Sequence, residues 1–325
     1  MTERRERDAG DLPSGSDMRH PARQVRIGVA LGGGSARGYA HIGALAALER
    51  NGLAPQVVAG TSFGAVVGAL YALGGTPAQL QVQAERLRRR DVLPEVVDFG
   101  LHRGALFRGR RLEAYFDRLV EGRSFEDLTR TLVITATDAD SGESVQLRSG
   151  ALAPALRASA SLPGLFAPAE VDGRRLIDGG IGAPVPLATL DAFDLDVRLG
   201  IGAGMDTDDS DAIRWVRRAL GHPWGGRVHR RLHAGGPGAF GRLAQALAWT
   251  ADGYGVGRAA VGPEGLQVQT RPPIHWLRFD RAEAAIRAGD LALEGAVPAV
   301  RAAVREAALV AAGAGTVRAG ADAAA

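Results

Sequence analysis

The 325-residue sequence contains no cysteine, which excludes disulfides, a cysteine nucleophile and thiolate ligation of zinc or iron–sulfur clusters. Such a chain fits an intracellular compartment, and the expected location is cytoplasmic. No run of about 18 apolar residues occurs, so no helical membrane span is predicted. Net charge is small, with 39 basic against 36 acidic side chains leaving +3. The pI near 9.9 reflects arginine in excess of lysine and is weak support for nucleic-acid binding. The first 24 residues are polar, carry Pro13 and Pro21 and lack an apolar h-region, so 1–24 reads as a disordered tail rather than a secretory signal. Small, weakly patterned residues over 311–325 read as a second, flexible tail.

Apolar residues make up 46% of the chain and there are 45 glycines. Arg26 to Leu31 is a short aliphatic run that stops at glycines, the profile of a buried strand. Tyr39 to Arg50 reads as a helix closed by Asn51-Gly52. Val57 to Ala59 is a second strand, and Ala65 to Leu73 has the composition of a buried helix. This alternation predicts a parallel sheet with crossover helices. Further helices are expected over Pro77–Arg90, Gly109–Val120 and Ala153–Ser159, and strands over Thr131–Thr137, Ser144–Leu147 and Val197–Ile201.

Two glycine loops follow the first two strands. Leu31 to Gly38 (LGGGSARG) lacks the Lys-Ser/Thr pair of a Walker loop, since Tyr39-Ala40 follows. The second strand ends in Gly60-Thr61-Ser62 rather than in the acidic residue that would hold a ribose, so neither nucleotide reading fits. Gly60-Thr61-Ser62-Phe63-Gly64 is a G-x-S-x-G between a strand and a helix, where Gly60 and Gly64 permit a sharp elbow. Ser62 beside the backbone N–H groups of the first loop is an arrangement suited to acyl transfer. The competing reading is a tight turn whose serine caps a helix.

A serine nucleophile needs a base. None of the seven histidines follows a strand as a triad histidine does, and His41, early in the first helix, reads as packing or helix-start bonding. Asp178 follows Leu176-Ile177 and precedes Gly179-Gly180, so its carboxylate could approach Ser62 unobstructed. Asp-Gly is equally a common turn signal, and the residues alone leave both readings open.

At this point the chain resembles the patatin-like phospholipases, in particular the bacterial lipid acyl hydrolases, from about Arg26 to Gly204 and again near residue 275. The matching blocks are LGGGSARGYAHIGAL, GTSFG, TDADSGE, RASASLPGLFAP, VDGRRLIDGG and FDRAEAAIRAGDLA. The resemblance implies a three-layer α/β/α fold with a mainly parallel sheet, a catalytic domain over 25–310 and no cofactor or metal. It implies Ser62 as nucleophile, Asp178 as base, and an oxyanion hole from Gly33, Gly34, Ser35 and Phe63, supported by Arg37, Gly60, Gly64, Gly179 and Gly180. Ser35 stands where the family carries a third glycine. Arg37 has two open readings, a loop-fixing or anion-attracting group and a solvated side chain. The implied reaction is hydrolysis of phospholipid or lysophospholipid esters. A catalytically silent lipid-binding module and an esterase or thioesterase on soluble substrates are the alternatives.

Between Ala212 and Trp249 there is no acidic residue, while Arg214, Arg217, Arg218 and Trp215 occur together. Arginine mixed with tryptophan suits an anionic membrane surface, which would make the protein peripheral to the inner face. A solvated insertion within the divergent segment 205–265 is the other reading. Nucleic acid is not an expected partner, and oligomerisation is left undetermined.

Overall fold

The computed structural model describes residues 25–86, 95–102, 105–204, 260–262 and 265–322. In chain order the elements are β1 (Ile27–Leu31), α1 (Ala40–Arg50), β2 (Val57–Thr61), α2 (Phe63–Ala72), α3 (Pro77–Arg86), β3 (Phe99–His102), β4 (Ala105–Phe107), α4 (Arg110–Leu119), β5 (Thr131–Asp138), β6 (Ser144–Leu147), α5 (Leu152–Ser159), β7 (Ala169–Val171), β8 (Arg174–Asp178), β9 (Val197–Gly202), β10 (Ala260–Gly262), β11 (Gly265–Gln269) and α6 (Ala282–Asp322). The expected strands and helices are present with small shifts at their ends, residues 87–90 of the helix expected over Pro77–Arg90 lying outside the described residues, and the class is α/β.

Among the described residues nine strands form one sheet, paired in the path β10-β11-β9-β1-β2-β5-β8-β7 with β6 added on β5. β11, β9, β1, β2 and β5 are parallel neighbours. The flanking β10, β6, β8 and β7 pair antiparallel, so the sheet is mixed, parallel at its centre and antiparallel at its margins. Short connections explain the margins: β5 to β6 and β7 to β8 are hairpins, whereas parallel neighbours need crossover helices.

Side chains alternate between the two faces, as the pleat requires. Val29, Leu31, Val58, Leu132 and Ile134 join the main core beneath α1, α2, α5 and α6. Ala30, Val57, Ala59 and Val133 point the other way, onto Leu187 and Leu190 of a 3₁₀ segment (Leu187–Ala192). In α6, Ala285, Ile286, Ala292, Leu293, Ala296, Val297 and Val300 are buried, a stripe at helical spacing that packs along α1. α6 is one helix that continues to Asp322, through most of the stretch that reads as a flexible tail. Alanine, the strongest helix former, carries the helix on where glycine and weak patterning suggested fraying.

Candidate active site

The site lies where β1 and β2 end side by side. Leu31 pairs with Gly60, so the loop leaving β1 and the turn leaving β2 emerge together. The next neighbour, β5, accepts β2 over Val57–Thr61 at Thr131–Thr135. One residue further on, Ala136 pairs with Asp178 of the antiparallel β8. β6 pairs Ile134 to Thr137, overlapping both stretches, so it occupies the opposite edge of β5. β2 and β8 therefore meet end to end along one edge of β5, and Ser62 at the end of one faces Asp178 at the end of the other.

Ser62 has φ 52° and ψ −122°, in the left-handed half of backbone space that a side chain rarely adopts. Glycines on both sides allow this turn. A Cβ on Gly60 would lie 2.5 Å from the Ala65 Cα, and one on Gly64 would lie 2.3 Å from the Leu31 carbonyl oxygen. The Ser62 hydroxyl donates to Asp178 Oδ2 at 2.8 Å. Asp178 Oδ1 accepts the Gly180 N–H at 2.8 Å. Gly179 opens a 3₁₀ turn pressed so closely on Thr135 that a Cβ would lie 2.2 Å from its carbonyl oxygen. Asp178 is buried, and that burial pushes its carboxyl up to about 6, against the opposing pull of the Gly180 amide and the Ser62 hydroxyl.

The glycine loop lies against the nucleophile: a Cβ on Gly33 would be 3.5 Å from the Ser62 Cβ. Its amides are not equivalent. The Gly33 N–H donates to the Pro184 carbonyl at 3.0 Å, so in this conformation it is spent within the protein. The acceptor comes from a loop more than a hundred residues further along the chain. The N–H groups of Gly34, Ser35 and Phe63 have no protein acceptor among the described residues. Ser35, with φ 50°, takes the left-handed conformation that favours glycine. The other end of the locked Gly32–Gly33 peptide is held by His41, whose Nε2 donates to the Gly32 carbonyl at 2.7 Å. Burial pushes His41 down to about 4, so the ring is neutral and serves the loop rather than the nucleophile.

Arg37 is 3% exposed, which removes the solvated reading. Its Nε donates to the Ile274 carbonyl at 2.8 Å, and the Ala36 amide reaches the Trp276 carbonyl at 2.9 Å, tying the loop to the chain before α6. One group escaped the sequence reading. Ser159, at the end of α5, accepts the Ser62 N–H at 2.7 Å and donates to the Thr135 carbonyl at 2.7 Å. Its only sequence signal was its place in the block RASASLPGLFAP. Arg214, Trp215, Arg217 and Arg218 lie outside the described residues. Among the described residues no helix is long and apolar enough to cross a membrane.

Comparison with known proteins shows the family and the fold. The sequence model of the Patatin-like phospholipase family matches residues 29–191. The chain is 34% identical over 202 residues to an NTE family protein of Mycobacterium tuberculosis, a match covering 60% of this chain and 56% of that protein. It is 30% identical over 213 residues to human patatin-like phospholipase domain-containing protein 6, covering 62% of this chain and 16% of the relative. The chain thus spans about half, or much less, of the length of these curated relatives. Among solved structures, VipD from Legionella pneumophila superposes with a TM-score of 0.50 at 12% identity, over 87% of this chain and 66% of VipD, a likeness of fold alone.

Proposed function

The chain belongs to the patatin-like phospholipase family, and from that premise we propose that it is a serine hydrolase of lipid acyl esters working without a metal. The observation that carries this reading is the 2.8 Å hydrogen bond from Ser62 to Asp178 on a strained elbow, beside backbone amides that have no protein acceptor among the described residues. The ester carbonyl docks with its oxygen toward the N–H groups of Gly34, Ser35 and Phe63. Ionised Asp178 takes the hydroxyl proton as the Ser62 oxygen bonds to the carbonyl carbon, giving a tetrahedral oxyanion. Collapse breaks the ester C–O bond, the proton passes to the departing alcohol or lysolipid, and an acyl-serine remains. Water then gives its proton to the same carboxylate, attacks the acyl carbon and releases the fatty acid and the free serine. A carboxyl lifted to about 6 is a stronger base than an ordinary aspartate and is still ionised at neutral pH. The proposed substrates are phospholipids or lysophospholipids, met at an anionic surface by the arginine- and tryptophan-rich stretch within Ala212–Trp249, on the cytoplasmic face of the membrane.

The test is hydrolysis of a medium-chain p-nitrophenyl ester by the parent, Ser62→Ala and Asp178→Asn, each checked for folding by circular dichroism. Both variants should lose about a thousandfold or more in kcat. The parent kcat/KM should rise with pH through about 6 and level off above it, because only ionised Asp178 accepts the proton. Activity surviving in Ser62→Ala would remove the proposed nucleophile. A flat profile across that range would remove Asp178 as base.

A further inference from the structure

The two halves of the site arrive on different strands, and nothing within β2 or β8 alone sets their mutual position. Both are held instead by one short stretch, the end of α5 and the residues after it. Ser159 is fully buried and uses its hydroxyl twice, accepting the Ser62 N–H at 2.7 Å and donating to the Thr135 carbonyl at 2.7 Å. Two residues on, the Ser161 carbonyl accepts the Asp178 N–H at 2.9 Å. Ser161 is itself anchored, because its hydroxyl donates to the Arg157 carbonyl at 2.6 Å and receives the Arg157 guanidinium.

Arg157 is 4% exposed and sits among main-chain acceptors. Its Nη2 donates to the carbonyls of Arg108 and Ala167, each at 2.7 Å, and its Nε to that of Gly109 at 3.2 Å. A buried guanidinium with such partners joins the end of α5 to the start of α4 and to the loop that leads into β7. The segment is thereby rigid at the point where it touches both functional residues.

From this arrangement we infer that Ser159 is a positioning residue of the site: its hydroxyl holds the Ser62 amide in the strained elbow conformation, while Ser161, fastened by Arg157, holds the Asp178 main chain in register with it. The inference deepens the proposed hydrolase reading and rests on it for its consequence in turnover. The hydroxyl is suited to the task because it accepts and donates at once, linking the elbow to β5 through a single oxygen. Without it the Ser62 N–H, which points away from solvent, has no acceptor in its place. The elbow then relaxes, and the Ser62–Asp178 hydrogen bond lengthens.

Ser159→Ala and Ser159→Cys test this together. Alanine removes the hydroxyl, and cysteine fills nearly the same volume with a poor acceptor. Two readouts are taken on each full-length variant: ester hydrolysis, and the titration of the Asp178 carboxyl carbon by NMR, assigned by its loss in Asp178→Asn. Both variants should lower kcat by about ten- to a hundredfold with KM little changed, since misplacement of reacting groups is expressed in the turnover step. Both should move the Asp178 titration upward, because the hydrogen bond from Ser62 that favours the carboxylate is weakened. Parent-like kcat and titration in Ser159→Ala would overturn the inference while leaving the hydrolase reading in place. Parent-like values in Ser159→Cys alone would also overturn it, by showing that the site needs volume rather than a hydrogen bond. An inert parent whose Asp178 titration still moves in both variants would remove the hydrolase reading and keep the positioning role.

Discussion

At the scale of single residues, the elbow at Ser62 trades backbone comfort for exposure of a hydroxyl. A non-glycine residue at φ 52° is strained by its Cβ, and the strain is held by the Ser159 contact and the close packing of α2 under β1. Ser62→Gly and Ser62→Ala both lose the hydroxyl and its bond to Asp178, so they differ mainly in that Cβ. Ser62→Gly should therefore be the more stable of the two by about 1 kcal/mol in urea unfolding, even after allowing for the extra chain entropy of glycine. Equal stability would show that the elbow is unstrained. Ser35 stands in the same half of backbone space at φ 50°, so the loop beside the nucleophile carries a second strained residue.

At the scale of elements, the position of the glycine loop depends on helices that contribute no reacting atom. α1 begins a few residues after that loop and is pressed along α6 so closely that the two backbones touch. A Cβ on Gly43 would lie 1.9 Å from the Ile286 carbonyl oxygen, and one on Gly289 would lie 1.8 Å from the Ala40 carbonyl oxygen. Arg50 bridges Asp290 and Glu294 at 2.6 Å each near the far end of the same crossing, but those pairs are exposed and add little. Gly43→Ala should gain helix propensity locally and still destabilise the protein, by roughly 1–3 kcal/mol, since the clash is with main chain that cannot rotate away. Chemical unfolding of Gly43→Ala and Gly289→Ala measures this. A neutral or stabilising result would mean that the helices sit further apart.

At the scale of the whole molecule, burial of Asp178 has a sign opposite to that of most carboxylates. Its pKa is raised to about 6 from the ordinary 3.8, so the folded protein binds this proton more tightly than the unfolded chain does. The contribution of Asp178 therefore favours folding most at acid pH. It declines as pH rises between about 4 and 6, by about 3 kcal/mol in all, and is constant above that window. Asp178→Asn has no such dependence. Unfolding free energies measured at several pH values across the window should show the parent losing stability relative to Asp178→Asn as pH increases. The reverse trend would mean that the carboxylate is stabilised where it lies. The same cost at neutral pH is what leaves the site with a usable base.

The sequence by itself determined the parts of this protein that are local. Strand, glycine loop, helix and then strand, serine elbow, helix are written in consecutive residues, because hydrophobic period and glycine placement act over a few positions. Asp178 was visible as a candidate only, since Asp-Gly-Gly is also a turn, and its approach to Ser62 depends on β8 meeting the end of β2 along β5. The close approach of Gly43 to α6 has no counterpart in the residues around it, because Ile286 lies far along the chain. Ser159 carries no signal of its own because its two partners, the elbow at Ser62 and Thr135 of β5, lie earlier in the chain. The Gly33 amide, free by pattern, is taken by the Pro184 carbonyl. Tertiary structure decided each of these, for one reason: a hydrogen bond or a close contact between distant segments depends on distance in space, which residue order does not encode locally.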